Sequence, residues 1–189
     1  AARPEEDLRA THNTQVAIFT HSIAVLRVLD LTLSGEADRA AGHSLGEYSA
    51  YVAAGAISFA DGLRLVRRRG ELMQRVGTEQ PGAMAAILGL SGEQVESTLA
   101  SVEGVVCAAN FNSPGQVVIS GEVPAVERAM EQCKVAGAKR AIRLDVSGAF
   151  HSPLMAGAAT GLSEMLMRTE VVAPRCAVLA NESAAAVPD

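Results

Sequence analysis

The pentapeptide Gly42-His43-Ser44-Leu45-Gly46 constrains this chain more than any other stretch. A serine between two glycines, after a short apolar run and before a helical one, demands strand, sharp turn and helix in that order. Such a turn leaves no room for side chains on either side of the serine, which is the steric reason for the glycines. It points Oγ outward and turns the Leu45 N–H toward a reacting oxygen, while the helix N-terminus favours negative charge developing at Ser44. A glycine-flanked serine before a helix also reads as a plain N-cap, and the pentapeptide alone does not separate the two. Residues 47–55 supply a small-residue helix closed by Gly55, suited to lying close against a sheet. Upstream, residues 14–29 carry Val16, Phe19, Ile23 and Leu26 and read as a helix, and Arg39-Ala40-Ala41 reads as a short strand leading into the turn.

The 189 residues are 49% hydrophobic, 20% charged and 3% aromatic, which describes a soluble globular chain with enough apolar material for one real core or two small ones. Cys107, Cys133 and Cys176 lack metal-type spacing and cannot all pair within the chain, so buried reduced thiols in a cytoplasmic compartment are expected. The polar start, residues 1–15, does not read as a signal peptide, and no apolar run is long enough to span a bilayer. A net charge of −5 argues against general nucleic-acid binding. Two basic clusters, Lys139, Arg140 and Arg143, and Arg64, Arg67 and Arg68, could still steer an acidic partner.

Composition and period change near Gln80-Pro81-Gly82, after which the pattern runs strand, helix, strand, strand, helix, strand, a split βαβ order. Residues 83–90 are an apolar strand, and Ser91 with Gln94 forms a capping box that starts a helix through Leu99. Strands at 105–110 and 116–120 flank the turn-forming Phe111-Asn112-Ser113-Pro114-Gly115. Pro124 opens a helix that stops at Gly137, and Ile142, Leu144 and Val146 alternate as a last strand. Ser152-Pro153 then starts a helix with Met155, Ala158, Leu162 and Met165, and residues 176–180 read as a strand after Pro174. The expected organisation is a large domain, 1–81 and 147–189, with a small domain, 82–146, inserted in it.

A serine nucleophile needs a base. His12 and His21 fall in a helix ahead of the elbow and read as surface or satisfied polar residues. His43 adjoins Ser44, but neighbours at a sharp turn point in different directions. His151, in Ser147-Gly148-Ala149-Phe150-His151-Ser152-Pro153, stands where the small domain ends, a place where clefts form, although a loop-capping histidine fits the spacing as well. Asp61 and Asp145 follow the serine and precede this histidine. Asp61 fits a capping box with Ser58, and Asp145 alternates out of phase with Leu144 and Val146, so neither reads as a triad acid.

On the helix expected over residues 58–76, Arg64, Arg67, Arg68, Glu71 and Arg75 form a solvated face. Arg69 does not join them. Its one-turn neighbours are Leu65, Val66, Leu72 and Met73, and a guanidinium in an apolar stripe calls for a fixed anion. That anion is either a structural Asp or Glu or the carboxylate of a substrate.

Taken together, Gly42-His43-Ser44-Leu45-Gly46-Glu47-Tyr48-Ser49-Ala50, Arg69-Gly70 with Met73, residues 110–119 (Asn-Phe-Asn-Ser-Pro-Gly-Gln-Val-Val-Ile) and Gly148-Ala149-Phe150-His151-Ser152 closely resemble the malonyl-CoA:acyl carrier protein transacylases of fatty-acid synthesis and the related acyltransferase domains of polyketide synthases. The resemblance runs over nearly the whole chain. It implies an α/β fold, an α/β-hydrolase-like large domain with an inserted ferredoxin-like (βαββαβ) small domain. It implies Ser44 as acyl carrier, His151 as general base and acid, Leu45 as an oxyanion N–H donor and Arg69 as the clamp on a malonyl carboxylate. His43, Met73, Asn112 and Phe150 are the other substrate-binding positions it marks, a Phe directly before the histidine resembling the malonyl-selecting pattern.

The activity so implied is ping-pong transfer of malonyl from malonyl-CoA to the phosphopantetheine thiol of an acyl carrier protein, an acidic partner, with no metal or redox cofactor, no nucleic acid and no membrane. The family's Gly-Gln-Gly segment with its second oxyanion donor, and its C-terminal segment that helps orient the histidine, are not found in the sequence. An excerpt of a longer protein is therefore expected, and loss of one oxyanion donor costs roughly a hundredfold to a thousandfold in turnover. Two other classes stay open: a serine esterase or thioesterase, which needs no cation in its acyl pocket, and a non-catalytic carrier-docking module, which needs neither Ser44 nor His151.

Overall fold

A computed structural model describes residues 5–29, 38–146 and 148–187. Ser147 and part of the polar start, two places singled out in the sequence, lie outside them. In chain order the elements are α1 (Glu5–Arg9), α2 (Thr11–Val28), β1 (Arg39–Ala41), α3 (Gly46–Ala53), α4 (Phe59–Glu79), β2 (Ala83–Leu88), α5 (Gly92–Leu99), β3 (Val106–Ser113), β4 (Gln116–Gly121), α6 (Val123–Val135), β5 (Arg140–Arg143), a 3-10 turn (Pro153–Met155), α7 (Ala156–Leu166) and β6 (Ala177–Leu179). The fold is mixed α/β. It divides into two compact units, Ala1–Glu71 with Gly161–Asp189 and Leu72–Thr160.

In the first unit, α2 begins at Thr11, ahead of the position its apolar period suggests, because its N-cap is Ala10, which offers no side-chain cap to read. One face of α2 buries Gln15, Phe19 and Ile23 at i, i+4 and i+8. Phe19 and Ile23 meet Leu45 and Val66 in one cluster that ties α2 to the elbow and to α4. Fully burying side chains of this size contributes about 1.5–3 kcal/mol each. Two glycines on α4 set how closely its neighbours approach. A Cβ on Gly62 would stand 2.7 Å from Phe19 Cζ, and one on Gly70 would stand 2.6 Å from His12 Cα. β1 pairs in parallel with β6, Ala40 opposite Val178, and the small residues Ala50 of α3 and Ala54, its C-cap, pack on Val178.

In the second unit, β2, β3, β4 and β5 form a sheet in the order β3-β4-β2-β5 with every neighbouring pair antiparallel. One face carries α5 and α6 over a core of Ala83, Ala85, Ile87, Val117, Ile119, Val95, Val126 and Cys133. The capping box read from Ser91 and Gln94 is present in both directions.

Two expectations are corrected here. β3 runs on through Ser113, so the turn shrinks to Pro114-Gly115, with Gly115 at φ 77, as a proline followed by a left-handed glycine permits. The last strand is Arg140–Arg143, and its phase is reversed: Ala141, opposite Ile87, packs on the core, while Ile142 is 37% exposed and Val146 40%. β5 is an edge strand, where pairing with β2 alone sets the face, and past Arg143 the Leu144 N–H, bonded to the Met84 carbonyl, continues the ladder.

Candidate active site

β1 delivers the chain into the elbow, where Ser44 adopts φ 52. A left-handed backbone at a residue with a Cβ costs roughly 1–2 kcal/mol. It forces the sharp turn that the pentapeptide announces. The steric demand falls on Gly42, whose Cβ would sit 2.0 Å from the Gly46 carbonyl carbon. Gly46 carries no such demand, since a Cβ there meets nothing within 4 Å among the described residues. This corrects the symmetric role expected of the two glycines, and the reason is that Gly46 is already the first residue of α3.

Hydrogen bonds hold the elbow in place. Gly46 N–H donates to the His43 carbonyl at 2.8 Å and Glu47 N–H to the Ser44 carbonyl at 3.2 Å. Ser44 N–H donates to Asn181 Oδ1 at 2.7 Å, and Asn181 N–H donates to Glu47 Oε1 at 3.1 Å. At about 0.5–1.5 kcal/mol net each, these bonds together outweigh the cost of the left-handed serine. Leu45 is buried at 9% exposure, and its N–H makes no hydrogen bond among the described residues, as an amide free to face a developing oxyanion must be.

The Arg69 guanidinium is held by hydrogen bonds to neutral side chains. Its Nη1 donates to Gln15 Oε1 at 2.6 Å and its Nη2 to Ser44 Oγ at 2.8 Å, and it forms no ion pair with an Asp or Glu among the described residues. Its guanidinium carbon lies 5.9 Å from the Tyr48 ring centroid, a cation-π distance. Burial pushes its pKa down from the ordinary guanidinium value, and nearby Tyr48 and Glu47 push it back up. Burial likewise raises the Tyr48 phenol, against the opposing pull of Arg69. The guanidinium is thus fixed by neutral partners, and no carboxylate of the described residues contacts it. The charged face of its helix is solvated, with Arg64 on Asp61 at 2.7 Å and Arg67 on Glu71 at 2.9 Å. Asp61 also receives the Ser58 hydroxyl at 2.6 Å and returns its own N–H to Ser58 Oγ, as its capping role requires.

Sequence reasoning missed Gln15 and Asn181. Gln15, 6% exposed, was findable by the argument used for Arg69, since it is a polar residue on the face of α2 that buries Phe19 and Ile23. Asn181, two residues beyond β6 and 137 residues from Ser44, gives no local signal.

The remaining candidates fall as follows. His43 is exposed at the elbow. Met73, in the second unit, is buried at 9% exposure on α4, one turn beyond Arg69. Asn112 is an exposed residue of β3, and Phe150 is half-buried. His151 is exposed, at φ 59, in the segment that leads into the 3-10 turn. Ser152 caps that turn, taking the Leu154 N–H at 3.3 Å and donating its hydroxyl to the Ala149 carbonyl at 2.7 Å. The segment lies against the sheet face opposite α5 and α6: Cys107 Sγ is 3.7 Å from the His151 carbonyl, and a Cβ on Gly82 would stand 2.4 Å from Ala149 Cβ. Ser44 and His151 are two of the three non-glycine residues with positive φ among those described, the third being Ala184. Such strain gathers where function requires it. No group of three metal-ligating side chains is found among the described residues, and none of their helices is long and apolar enough to cross a membrane.

Residues 1–187 match the model of the acyl transferase domain family. The chain belongs to that family. It is 49% identical over 183 residues to a Bacillus subtilis malonyl CoA-acyl carrier protein transacylase, covering 95% of this chain and 57% of the relative. The Escherichia coli K12 protein of the same name is 48% identical over 180 residues, covering 94% and 58%. Among solved structures, a malonyl-transacylase in complex with its type II polyketide acyl-carrier protein superposes with a TM-score of 0.93 at 45% identity, covering 98% of this chain and 61% of that one. An acyl carrier protein S-malonyltransferase from Vibrio cholerae gives 0.92 at 46%, with 98% and 61% covered. The chain therefore spans less than two thirds of the length of the relatives it matches.

Proposed function

We propose that this chain carries the nucleophile and acyl clamp of a malonyl-CoA:acyl carrier protein transacylase. The observation that carries the reading is the Arg69 guanidinium, anchored on Gln15 and reaching Ser44 Oγ at 2.8 Å. A cation beside the nucleophile, in no ion pair with a carboxylate of the described residues, suits an acyl group that brings its own carboxylate. An esterase or thioesterase of neutral acyl groups gains nothing from it. The names of the two bacterial relatives, and the solved complex of a malonyl-transacylase with its acyl-carrier protein, support the same substrate and partner.

In this mechanism Ser44 Oγ attacks the thioester carbonyl carbon of malonyl-CoA and His151 takes its proton. The Leu45 N–H stabilises the oxyanion, coenzyme A leaves as the thiol with that proton, and the carrier's phosphopantetheine thiol repeats the sequence in reverse on the malonyl-serine ester. Arg69 holds the malonyl carboxylate, with His43, Met73, Asn112 and Phe150 as the further substrate-binding positions. The thioester supplies the driving force, so the chemistry calls for no metal or redox group. For the architecture we infer an α/β-hydrolase-like domain, 1–81 and 147–189, with a ferredoxin-like domain, 82–146, inserted in it. The order β3-β4-β2-β5 supports the second. Fatty-acid or polyketide synthesis is the setting these substrates imply.

The test is peptide mapping after brief exposure to malonyl-CoA. The reading expects a malonyl ester on Ser44 that disappears in Ser44→Ala and on addition of holo carrier protein. Labelling of Cys107, Cys133 or Cys176 in its place would overturn it.

A further inference from the structure

The backbone of Ser44 is enclosed in a ring of three hydrogen bonds. Its N–H donates to Asn181 Oδ1 at 2.7 Å, Asn181 N–H donates to Glu47 Oε1 at 3.1 Å, and Glu47 N–H donates to the Ser44 carbonyl at 3.2 Å. The ring exists because β1 and β6 are parallel neighbours, so the chain leaving β6 emerges beside the chain entering the elbow. Asn181 stands two residues past β6 and Ser44 three past β1. Both main-chain polar groups of the left-handed serine are thereby held, one by a side chain from the far end of the sequence.

From this geometry we propose that Asn181 is a positioning residue for the nucleophile. This inference rests on the reading of Ser44 as the acyl-accepting serine. A left-handed φ is the less stable arrangement for a serine, and a residue released from its backbone tethers relaxes toward negative φ. That rotation swings Cβ, and with it Oγ, away from Arg69 Nη2, and turns the following peptide that carries the Leu45 N–H. Asn181 touches no reacting atom. It acts by keeping Oγ and the Leu45 amide in one geometry, so its loss slows acylation with little effect on how tightly malonyl-CoA is held. An asparagine side chain suits this job: its amide oxygen accepts the Ser44 N–H while its own backbone N–H closes the ring through Glu47.

The experiment compares the full-length wild-type protein with Asn181→Ala and Asn181→Asp. It measures the single-turnover rate of Ser44 labelling by malonyl-CoA, steady-state kcat and KM, and Tm. Asn181→Ala is expected to slow labelling and kcat ten- to a hundredfold, with KM for malonyl-CoA within about twofold of wild type. Asn181→Asp, which keeps an acceptor oxygen, is expected to stay within about tenfold of wild type. A folded Ala variant that labels at the wild-type rate, or that loses only through KM, would overturn the proposal. If Ala does not fold, Asp decides alone, and labelling more than about tenfold slower than wild type at unchanged Tm would overturn it. Wild-type protein that fails to label on Ser44 would instead overturn the nucleophile reading, and this proposal with it.

Discussion

Arg69 Nη2 lies 2.8 Å from Ser44 Oγ, the other guanidinium nitrogen being held by Gln15 at 2.6 Å. A half-buried serine hydroxyl that accepts from a cation is favoured in its alkoxide form. Three parts of the first unit supply the residues of this pair and its anchor: α2 brings Gln15, the elbow brings Ser44 and α4 brings Arg69.

The approach of α2 to α4 depends on Gly70. A Cβ at that position would fall 2.6 Å from His12 Cα and 3.3 Å from the Thr11 carbonyl oxygen, backbone atoms that cannot rotate aside. Gly70→Ala is expected to push the first turns of α2 outward and to pull Gln15 off Arg69. Overpacking of this kind costs about 1–3 kcal/mol. Thermal or urea unfolding checks the stability, and a malonyl-CoA KM raised in the folded protein checks the displaced anchor. Unchanged values for both would mean that the helices accommodate a methyl group without moving.

His151→Ala is expected to slow both acylation by malonyl-CoA and deacylation by the carrier thiol, by roughly a hundred- to ten-thousandfold, because one imidazole serves both half-reactions. Rapid-quench measurement of each half-reaction checks this. A loss confined to one of them would require another base for the other.

The elements of the site that were legible in the sequence are those written in local patterns. Gly42 and Ser44 announce the elbow because a tight turn is a local steric problem, and Ser91 with Gln94 announces α5 because a capping box spans four residues. Arg69 was legible because its neighbours at helical spacing are apolar, and Gln15 carries the same signature on α2. The phase of β5 was not, since its pairing with β2 decides which residues face the helices, and Ala141 signals that more weakly than Ile142. Asn181 was not, since its bond to Ser44 joins residues whose proximity is created by the β1–β6 pairing. The left-handed φ of His151 carries only a weak residue-type signal, since histidine is enriched in that conformation without being required there.

The two basic clusters are expected to differ in their use by an acidic carrier. On α4, Arg64 is engaged with Asp61 and Arg67 with Glu71, and Arg143 is engaged with Glu127, whereas Lys139 and Arg140 are exposed and form no ion pair among the described residues. Reversing Lys139 and Arg140 to Glu is expected to raise KM for the carrier severalfold and to flatten its salt dependence, with self-acylation by malonyl-CoA unchanged. Reversing Arg64 and Arg67 is expected to do less. Carrier kinetics across a salt series check both, and an unchanged carrier KM in the Lys139/Arg140 variant would make that edge an ordinary solvated surface.

The most direct test of the carboxylate-clamping role of Arg69 is kcat/KM for malonyl-CoA and acetyl-CoA in wild type, Arg69→Ala and Arg69→Lys, with circular dichroism to verify folding. Leaving a buried malonyl carboxylate without its partner costs roughly 3–5 kcal/mol, a loss of two to four orders of magnitude in malonyl transfer. Acetyl transfer never used the clamp and is expected to hold or rise in Arg69→Ala, so that the preference inverts, and Arg69→Lys is expected to rescue poorly because it keeps the charge without the two-pronged donor. Equal losses for malonyl and acetyl in a folded Arg69→Ala protein would contradict the account and leave Arg69 as a structural support for Ser44.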